Sequence, residues 1–264
     1  MNKVEREIVS VLKCLKEEYG VFEIKAEFEA EGSRIDEMMR LKDITSQVDL
    51  PIILKIGGVE AITDIYNGLA IGVKGLIAPM AETAFAVSKF INAVKEFTPE
   101  DNRQDIEFAI NIETITAYEN LNSILSLPDL KMIQGITIGR VDFSGSMNAD
   151  RNFANSDKML EICTDVFSQA REKGLMCGLG GAISSDSIEF IANLTNKKLI
   201  DKYETRKVVY SAEGIFKNPK KGLLKGIEFE LLWLKSKQRY YSRIKAEDEN
   251  RIKMLDSRLQ KASI

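Results

Sequence analysis

The chain has 264 residues, of which 44% are hydrophobic and 29% charged, and its formal net charge is −3. This length and composition suit one barrel-sized soluble domain, and the slightly acidic balance gives no electrostatic reason to expect nucleic acid or an anionic membrane as partner. The chain contains no histidine, which excludes Ser-His-Asp and Cys-His catalysis and histidine-based zinc sites.

Hydrophobic periodicity predicts alternating helices and strands along the whole chain. The predicted elements of the first half are, in order, a helix over 2–19, a strand over 21–29, a helix over 31–47, a strand over 50–58, a helix over 59–69, a strand over 73–80, a helix over 82–94 and a strand that starts at 106 and closes on Glu113. The second half continues with a helical pattern through Tyr118, Leu121 and Leu125, a strand over 132–139, a helix over 156–174, a strand over 175–181, a helix over 182–194, short strands over 197–202 and 205–213, and one long helix over 219–262.

This alternation predicts an α/β fold, a (β/α)8 TIM barrel with an N-terminal capping helix and a long C-terminal helix. We expect residues 1–222 to form the barrel domain and residues 223–264 to form a helical extension. One barrel does not need so long a last helix, so the extension is predicted to contact a neighbouring subunit of a homo-oligomer. A helix that folds back on its own barrel is the alternative. We find no signal peptide and no apolar run of membrane-spanning length, and expect a cytoplasmic protein without a membrane partner.

Charged residues at the ends of the first two strands are candidate site residues. The first strand alternates, and because the outer face of a barrel strand packs on helices, its charged row with Lys25, Glu27 and Glu29 is expected to point inward. Lys55 closes the apolar second strand. A lone cation in that position favours an anionic ligand.

Two carboxylates follow consecutive strands, Glu113 after the fourth and Asp142 after the fifth. Facing one barrel mouth, they would suit a hard divalent cation with positions left open for substrate. Considered separately, Glu113 is more simply explained as complementing a helix dipole and Asp142 as a turn residue.

A glycine-rich turn after the sixth strand, Gly178-x-Gly180-Gly181, leads to Ser184 and could present amides and hydroxyls to an anion. It lacks the spacing of a dinucleotide-binding fingerprint.

The segment IETITAYENLNSILSLPDLKMIQGITIGRVDFSGSMN, residues 112–148, resembles the HpcH/HpaI aldolase and citrate lyase family, and so does GVKGLIAPMAETAFAVSKFINAV, residues 72–94. The resemblance extends over residues 20–215 and is most specific over 72–147. It implies that Glu113 and Asp142 are ligands of Mg²⁺ or Mn²⁺.

The chain departs from this family at the acid/base residues. Where the first strand of the family carries D-G-E-H, this chain has Lys25-Ala26-Glu27-Phe28, so the histidine that serves as base is replaced. The family's carboxylate-binding arginine corresponds to Lys55, which keeps the charge and loses the bidentate fork. Lys25, with a lowered pKa, or Glu27 is expected to carry the proton instead.

The resemblance therefore implies a metal-dependent carbon–carbon lyase or aldolase acting on a small 2-oxo acid such as pyruvate or oxaloacetate. Lys55 would bind the substrate carboxylate, assisted by Arg140, by the amides of Gly139–Asp142 and by Ser184. Two other interpretations remain open. The lysines could serve phosphoenolpyruvate or a phosphorylated sugar acid, or the loss of histidine could mark a catalytically inactive binding or assembly protein.

Overall fold

Eight strands close into a barrel in the computed structural model, which describes residues 1–262 and the side chains through residue 257. The strands are β1 (Val21–Glu27), β2 (Ile52–Lys55), β3 (Gly75–Ala78), β4 (Glu107–Ile112), β5 (Gly135–Gly139), β6 (Met176–Gly180), β7 (Lys202–Glu204) and β8 (Val208–Ser211). Strand β1 pairs with both β2 and β8, which closes the circle. The predicted barrel is confirmed.

The eighth strand differs from the predicted pattern, since β8 runs antiparallel to both β7 and β1. Only residues 205–207 separate β7 from β8, whereas a parallel crossover needs a dozen residues or more. Strand β7 also begins at Lys202, where the predicted strand over 197–202 ends. The short turn places residues 205–207 at the carboxyl end of the parallel strands, where Arg206 lies 3.7 Å from Glu27.

Eleven helices lie in the part of the chain that the structure describes, interspersed with four short 3₁₀ segments. They are α1 (Lys3–Tyr19), α2 (Ile35–Ser46), α3 (Ile62–Ile71), α4 (Ala84–Phe97), α5 (Glu100–Arg103), α6 (Ile115–Glu119), α7 (Leu121–Leu125), α8 (Arg140–Ser146), α9 (Asp157–Glu172), α10 (Ile188–Asn196) and α11 (Pro219–Ala262). Among residues 1–262, no helix is both long enough and apolar enough to cross a membrane.

The barrel interior is divided into an apolar cluster and a charged region. Ile53, Ile77 and Val209 form a small buried cluster with Ala109 against it, separate from the main core between strands and helices. Further along β2 and β4, towards their carboxyl ends, the inward positions are polar instead, with Lys55 and Asn111 both buried. The apolar cluster therefore lies beneath a polar mouth, and the buried ion pair of Glu23 and Lys202 lies at the level of Val209.

Helix α11 covers the outside of the barrel with its first half only. Its residues Leu223, Phe229 and Trp233 are buried, and α1 packs along it. At 1.5 Å per residue its 44 residues span about 66 Å, and residues 242–253 are all exposed. The predicted boundary between residues 222 and 223 falls inside this one helix. Residues 263–264 of the predicted extension lie outside the described residues.

Candidate active site

A cavity of about 920 Å³ opens at the carboxyl end of the barrel. It reaches from the strand ends to the first turns of α11, and Gly139 and Gly180 line it where side chains would otherwise fill the mouth. Its charged lining residues are Lys25, Glu27, Glu29, Lys55, Glu113, Asp142, Arg151, Asp186, Glu204, Arg206, Lys220 and Glu230. Seven of these are acids and five are bases, so the cavity is negative and suits a cation.

Glu113 is the most firmly held carboxylate of this cavity. It follows β4, is 1% exposed, and its Oε1 accepts a hydrogen bond of 3.0 Å from the backbone amide of Met80. Its Oε2 accepts a hydrogen bond of 3.0 Å from the side-chain amide of Asn111. A β-carbon at Gly139 would lie 2.6 Å from that oxygen, so the glycine of β5 leaves the space that the carboxylate occupies.

Asp142 lies in the first turn of α8, is exposed, and lines the same cavity as Glu113. Among the described residues, Oδ1 of Asn111 is buried and has no hydrogen-bond partner, although Asn111 also lines the cavity. Carboxylate and amide oxygens are the ligands that Mg²⁺ and Mn²⁺ prefer. The donor set therefore fits the predicted ion. Within the described chain no three acidic or cysteine side chains cluster as a complete metal site, so substrate and water would supply the remaining ligands.

Lys55 lies at the cavity between two acids. Its Nζ is 3.2 Å from Oε2 of Glu29 and 3.4 Å from Oε2 of Glu113. The side chain is 5% exposed, and a buried ammonium requires such partners. The predicted cation of the second strand is thus brought directly beside the predicted metal ligand.

Lys25 does not have the lowered pKa that would make it a base. Its Nζ lies 2.7 Å from Glu204 and 3.1 Å from Glu27. Burial by itself lowers the pKa of this ammonium, but the carboxylates of Glu204 and Glu27 more than offset burial, and its pKa is raised above the ordinary lysine value. The lowered pKa predicted for Lys25 is therefore not found, and its ammonium instead donates hydrogen bonds to two acids.

Glu27 is held in its ionised form. Burial raises the pKa of its carboxyl, whereas Lys25 and, more weakly, Lys55 and Arg206 lower it, and the net pKa lies below the usual range. Its Oε1 lies 3.1 Å from Lys25 and its Oε2 3.7 Å from Arg206. A lowered pKa makes Glu27 a weak proton acceptor.

The side chain of Arg140 is not among the residues that line the cavity, contrary to the expectation that it would meet the substrate. It is fully buried and donates to the carbonyls of Gly180 (3.2 Å), Gly181 (2.6 Å) and Ala154 (2.8 Å) and to Oδ1 of Asn155 (2.8 Å). Burial lowers its pKa to about 10. Its side chain ties the segment before α9 to the loop after β6, and so positions part of the cavity wall.

The other predicted ligands of an anion keep their place at the cavity. Ser184 lines it, although its hydroxyl already accepts a hydrogen bond of 3.2 Å from the amide of Asp186 as the cap of a 3₁₀ segment. Gly139 lines it as well, and its clearest role is to leave room for the carboxylate of Glu113.

Sequence reasoning did not identify Asn111 and Glu204. Both occupy inward positions of their strands and line the cavity. Asn111 lies two residues before Glu113 in an alternating strand, which is the pattern that identified Lys25 and Glu27. Glu204 was missed because the predicted seventh strand stopped at Lys202.

Comparisons with known proteins agree with this architecture. The family model of HpcH/HpaI aldolase/citrate lyase matches residues 39–186, more than half of the chain. Among solved structures, an HpcH/HpaI aldolase from Desulfitobacterium hafniense DCB-2 superposes with a TM-score of 0.59 at 15% identity, covering 75% of this chain and 81% of that one. The citrate synthase SbnG gives 0.59 at 13% identity, covering 84% and 89%. An HpcH/HpaI aldolase/citrate lyase family protein from Burkholderia cenocepacia J2315 gives 0.53 at 10% identity, covering 83% and 99%. No curated protein sequence matches this chain. At such identities the solved structures show a shared fold alone.

Proposed function

Because the chain belongs to the HpcH/HpaI aldolase/citrate lyase family, we propose that it is a divalent-metal-dependent carbon–carbon lyase or aldolase that acts on a 2-oxo acid such as pyruvate or oxaloacetate. The observation that carries this proposal is the set of oxygen donors at one cavity: the buried carboxylate of Glu113, the exposed carboxylate of Asp142 and the unpaired amide oxygen of Asn111, all among the described residues.

Glu113 and Asp142 would hold Mg²⁺ or Mn²⁺. When bound, such an ion polarises the carbonyl of a 2-oxo acid and stabilises the enolate. Asn111 and the amide of Met80 fix the carboxylate of Glu113 from two sides, so its orientation is set before any ligand binds.

Lys55 would bind the carboxylate of the 2-oxo acid. Its ammonium is buried at the mouth, where water competes weakly and a charge-assisted hydrogen bond is strong. Ser184 and the amides around Gly139 line the same cavity and would contribute further donors. A cavity of about 920 Å³ also has room for an acceptor aldehyde or thioester beside the 2-oxo acid.

The phosphorylated-substrate alternative loses its sequence support. It depended on two lysines adding positive charge to one mouth, and these lysines contact four carboxylates, those of Glu27, Glu29, Glu113 and Glu204. A mouth with more acids than bases favours a cation over a phosphate.

A calorimetric titration of Mn²⁺ tests the proposal, performed with and without pyruvate or oxaloacetate. We expect the wild-type protein to bind Mn²⁺, the 2-oxo acid to tighten this binding, and the double variant Glu113→Ala, Asp142→Ala to lose it. If the wild-type protein binds no metal, the lyase proposal fails and the interpretation as an inactive binding or assembly protein replaces it.

The proposal includes a homo-oligomer formed through α11. The second half of this helix leaves the barrel, and its apolar residues Ile244, Ile252 and Leu255 are exposed. The first half also presents Leu231 and Leu234, each about half exposed, on one helical face. Apolar stripes on a helix this long are commonly buried by a partner, and a second copy of the chain supplies a matching stripe.

A further inference from the structure

Glu204 differs from the other carboxylates of the cavity in how its oxygens are paired. It is the last residue of β7, is 2% exposed and lines the cavity. Its Oε1 accepts a hydrogen bond of 2.7 Å from Nζ of Lys25. Its Oε2 is buried and has no partner among the residues that the structure describes. An unpaired buried carboxylate oxygen is costly, so Oε2 is free to accept a hydrogen from a molecule bound in the cavity.

The backbone beside this carboxylate carries no side chain. Gly180 of β6 lines the cavity next to Glu204, and a β-carbon added there would lie 3.4 Å from both Cγ and Oε1 of Glu204. Oε1 is the oxygen that Lys25 holds, and Lys25 also contacts Glu27. Gly180 therefore adds no side chain next to Glu204 at the cavity wall.

The remaining carboxylates near the strand ends are already engaged. Glu113 accepts hydrogen bonds from the amides of Met80 and Asn111 and lies beside Lys55. Glu27 contacts a cation with each oxygen, and Glu29 contacts Lys55 at the more exposed edge of the site. Among the carboxylates that the structure describes, Glu204 alone has a buried oxygen without a hydrogen-bond partner.

We propose that Glu204 is the proton acceptor of this site, and that its Oε2 removes a proton from the carbon next to the carbonyl of the bound 2-oxo acid. This inference rests on the proposed function. In the step, the C–H bond breaks, its electron pair forms the C=C bond of the enolate, the carbonyl π electrons move to oxygen, and the proton forms a carboxylic acid with Oε2. In the reverse direction the same acid returns the proton. Lys25 keeps its own proton throughout and orients the carboxylate.

The first measurement is the exchange of the methyl protons of pyruvate for deuterium, followed by proton NMR in D₂O with Mg²⁺. We expect wild-type protein to catalyse exchange and Glu204→Gln to slow it by about a hundredfold or more, the range of a lost general base. Glu204→Asp keeps a carboxylate and is expected to recover part of the rate. Glu23→Gln is the matched control, since Glu23 is also a buried barrel glutamate paired with a lysine, Lys202 at 3.2 Å, but does not line the cavity.

The second measurement does not depend on turnover. Oxalate mimics the enolate of pyruvate, so its binding with Mg²⁺ is expected to leave Glu204 protonated. Calorimetry in two buffers of different ionisation enthalpy should then show uptake of about one proton per oxalate in the wild-type and Glu23→Gln proteins, and none in Glu204→Gln.

The outcomes distinguish a failure of the role proposed for Glu204 from a failure of the proposed function. If Glu204→Gln exchanges pyruvate protons as fast as the wild-type protein, or takes up the same proton with oxalate, this inference is overturned while the metal site stands. Wild-type protein that binds oxalate without exchange or proton uptake overturns it equally. If wild-type protein does not bind oxalate with Mg²⁺, the proposed function is refuted and the inference with it.

Discussion

The carboxylate of Glu113 occupies the space beside Gly139 that a side chain would fill. A β-carbon at Gly139 would lie 2.6 Å from Oε2 and 2.9 Å from the β-carbon of Glu113, closer than real contacts allow. Strand β5 therefore makes room for the predicted metal ligand of β4.

Gly139→Ala tests this relationship. Because the methyl group would displace the carboxylate, we expect Mn²⁺ affinity to fall by about tenfold to a hundredfold, as when the support of a metal ligand is lost. Gly145→Ala is the control, since a β-carbon on this glycine of α8 meets nothing within 4 Å. Calorimetry compares the two. Equal affinities in both variants would show that the position of Glu113 does not depend on Gly139.

Lys55→Met should change metal and substrate binding in opposite directions. Nζ of Lys55 lies 3.4 Å from Glu113 and repels a cation there, so its removal is expected to tighten Mn²⁺ binding in the absence of a 2-oxo acid. Pyruvate should bind about tenfold more weakly, because it loses a charge-assisted hydrogen bond. Titration of each ligand in turn measures both effects.

The control for Lys55 is Lys158→Met, which removes a lysine exposed on α9 and paired only with Glu161 in the described structure. We expect it to alter neither affinity. If Lys55→Met weakens metal and pyruvate together, Lys55 supports the site in some way other than as the ligand of the substrate carboxylate.

We expect Arg140→Met to lower the free energy of unfolding, and not only to weaken substrate binding. The change leaves acceptors at Gly180, Gly181, Ala154 and Asn155 without their donor, and we expect the free energy of unfolding to fall by about 2 to 5 kcal/mol. Urea denaturation measures this. Arg151→Met, which removes an exposed arginine of the same cavity wall, should leave stability unchanged. Unchanged stability in Arg140→Met with weaker pyruvate binding would instead restore Arg140 as a substrate ligand.

The contact between α2 and α11 should depend on pH through Glu37. Burial raises the pKa of its carboxyl, but hydrogen bonds from Tyr241, Lys237 and the amide of Arg34 lower it by more, to below the ordinary value of 4.5. Because the pKa is lower in the folded protein, this contribution to stability is complete above pH 4.5 and is lost as the pH falls through the folded-state value.

Glu37→Gln measures that contribution. At pH 7 we expect the variant to be less stable than the wild-type protein by about 1 to 2 kcal/mol, and the difference to shrink below pH 4.5. Urea denaturation over a pH series gives both values. A difference that does not change with pH would contradict the assignment to the ionised carboxylate.

The subunit contact through α11 predicts that the wild-type protein is an oligomer in solution. Leu231→Glu with Leu234→Glu should lower its mass, measured by light scattering, because charges would be placed on the apolar face of α11. Lys235→Glu changes an exposed charge on the same helix and should not affect assembly. A wild-type protein that is monomeric at all concentrations would exclude the contact.

The sequence by itself determined the fold class and several of the charged residues that line the cavity. Alternation of helical and strand periods predicts a barrel because each strand must be covered by a helix. The inward row of β1 and the terminal position of Lys55 follow from the two-residue period of a strand. The same logic applied to β4 would have included Asn111, and the acids after β4 and β5 were found because consecutive parallel strands end at the same mouth.

Only the tertiary structure decided how these charges are paired. Lys25 donates hydrogen bonds to two acids and has a raised pKa, because β7 places Glu204 beside it from 179 residues away. Arg140 follows Gly139 in sequence, but its side chain turns into the protein to meet carbonyl groups from two other loops. The direction of β8 was likewise fixed by a three-residue turn between β7 and β8. Local periodicity determines which face of an element a residue occupies, whereas its pKa and role depend on partners that are distant in sequence.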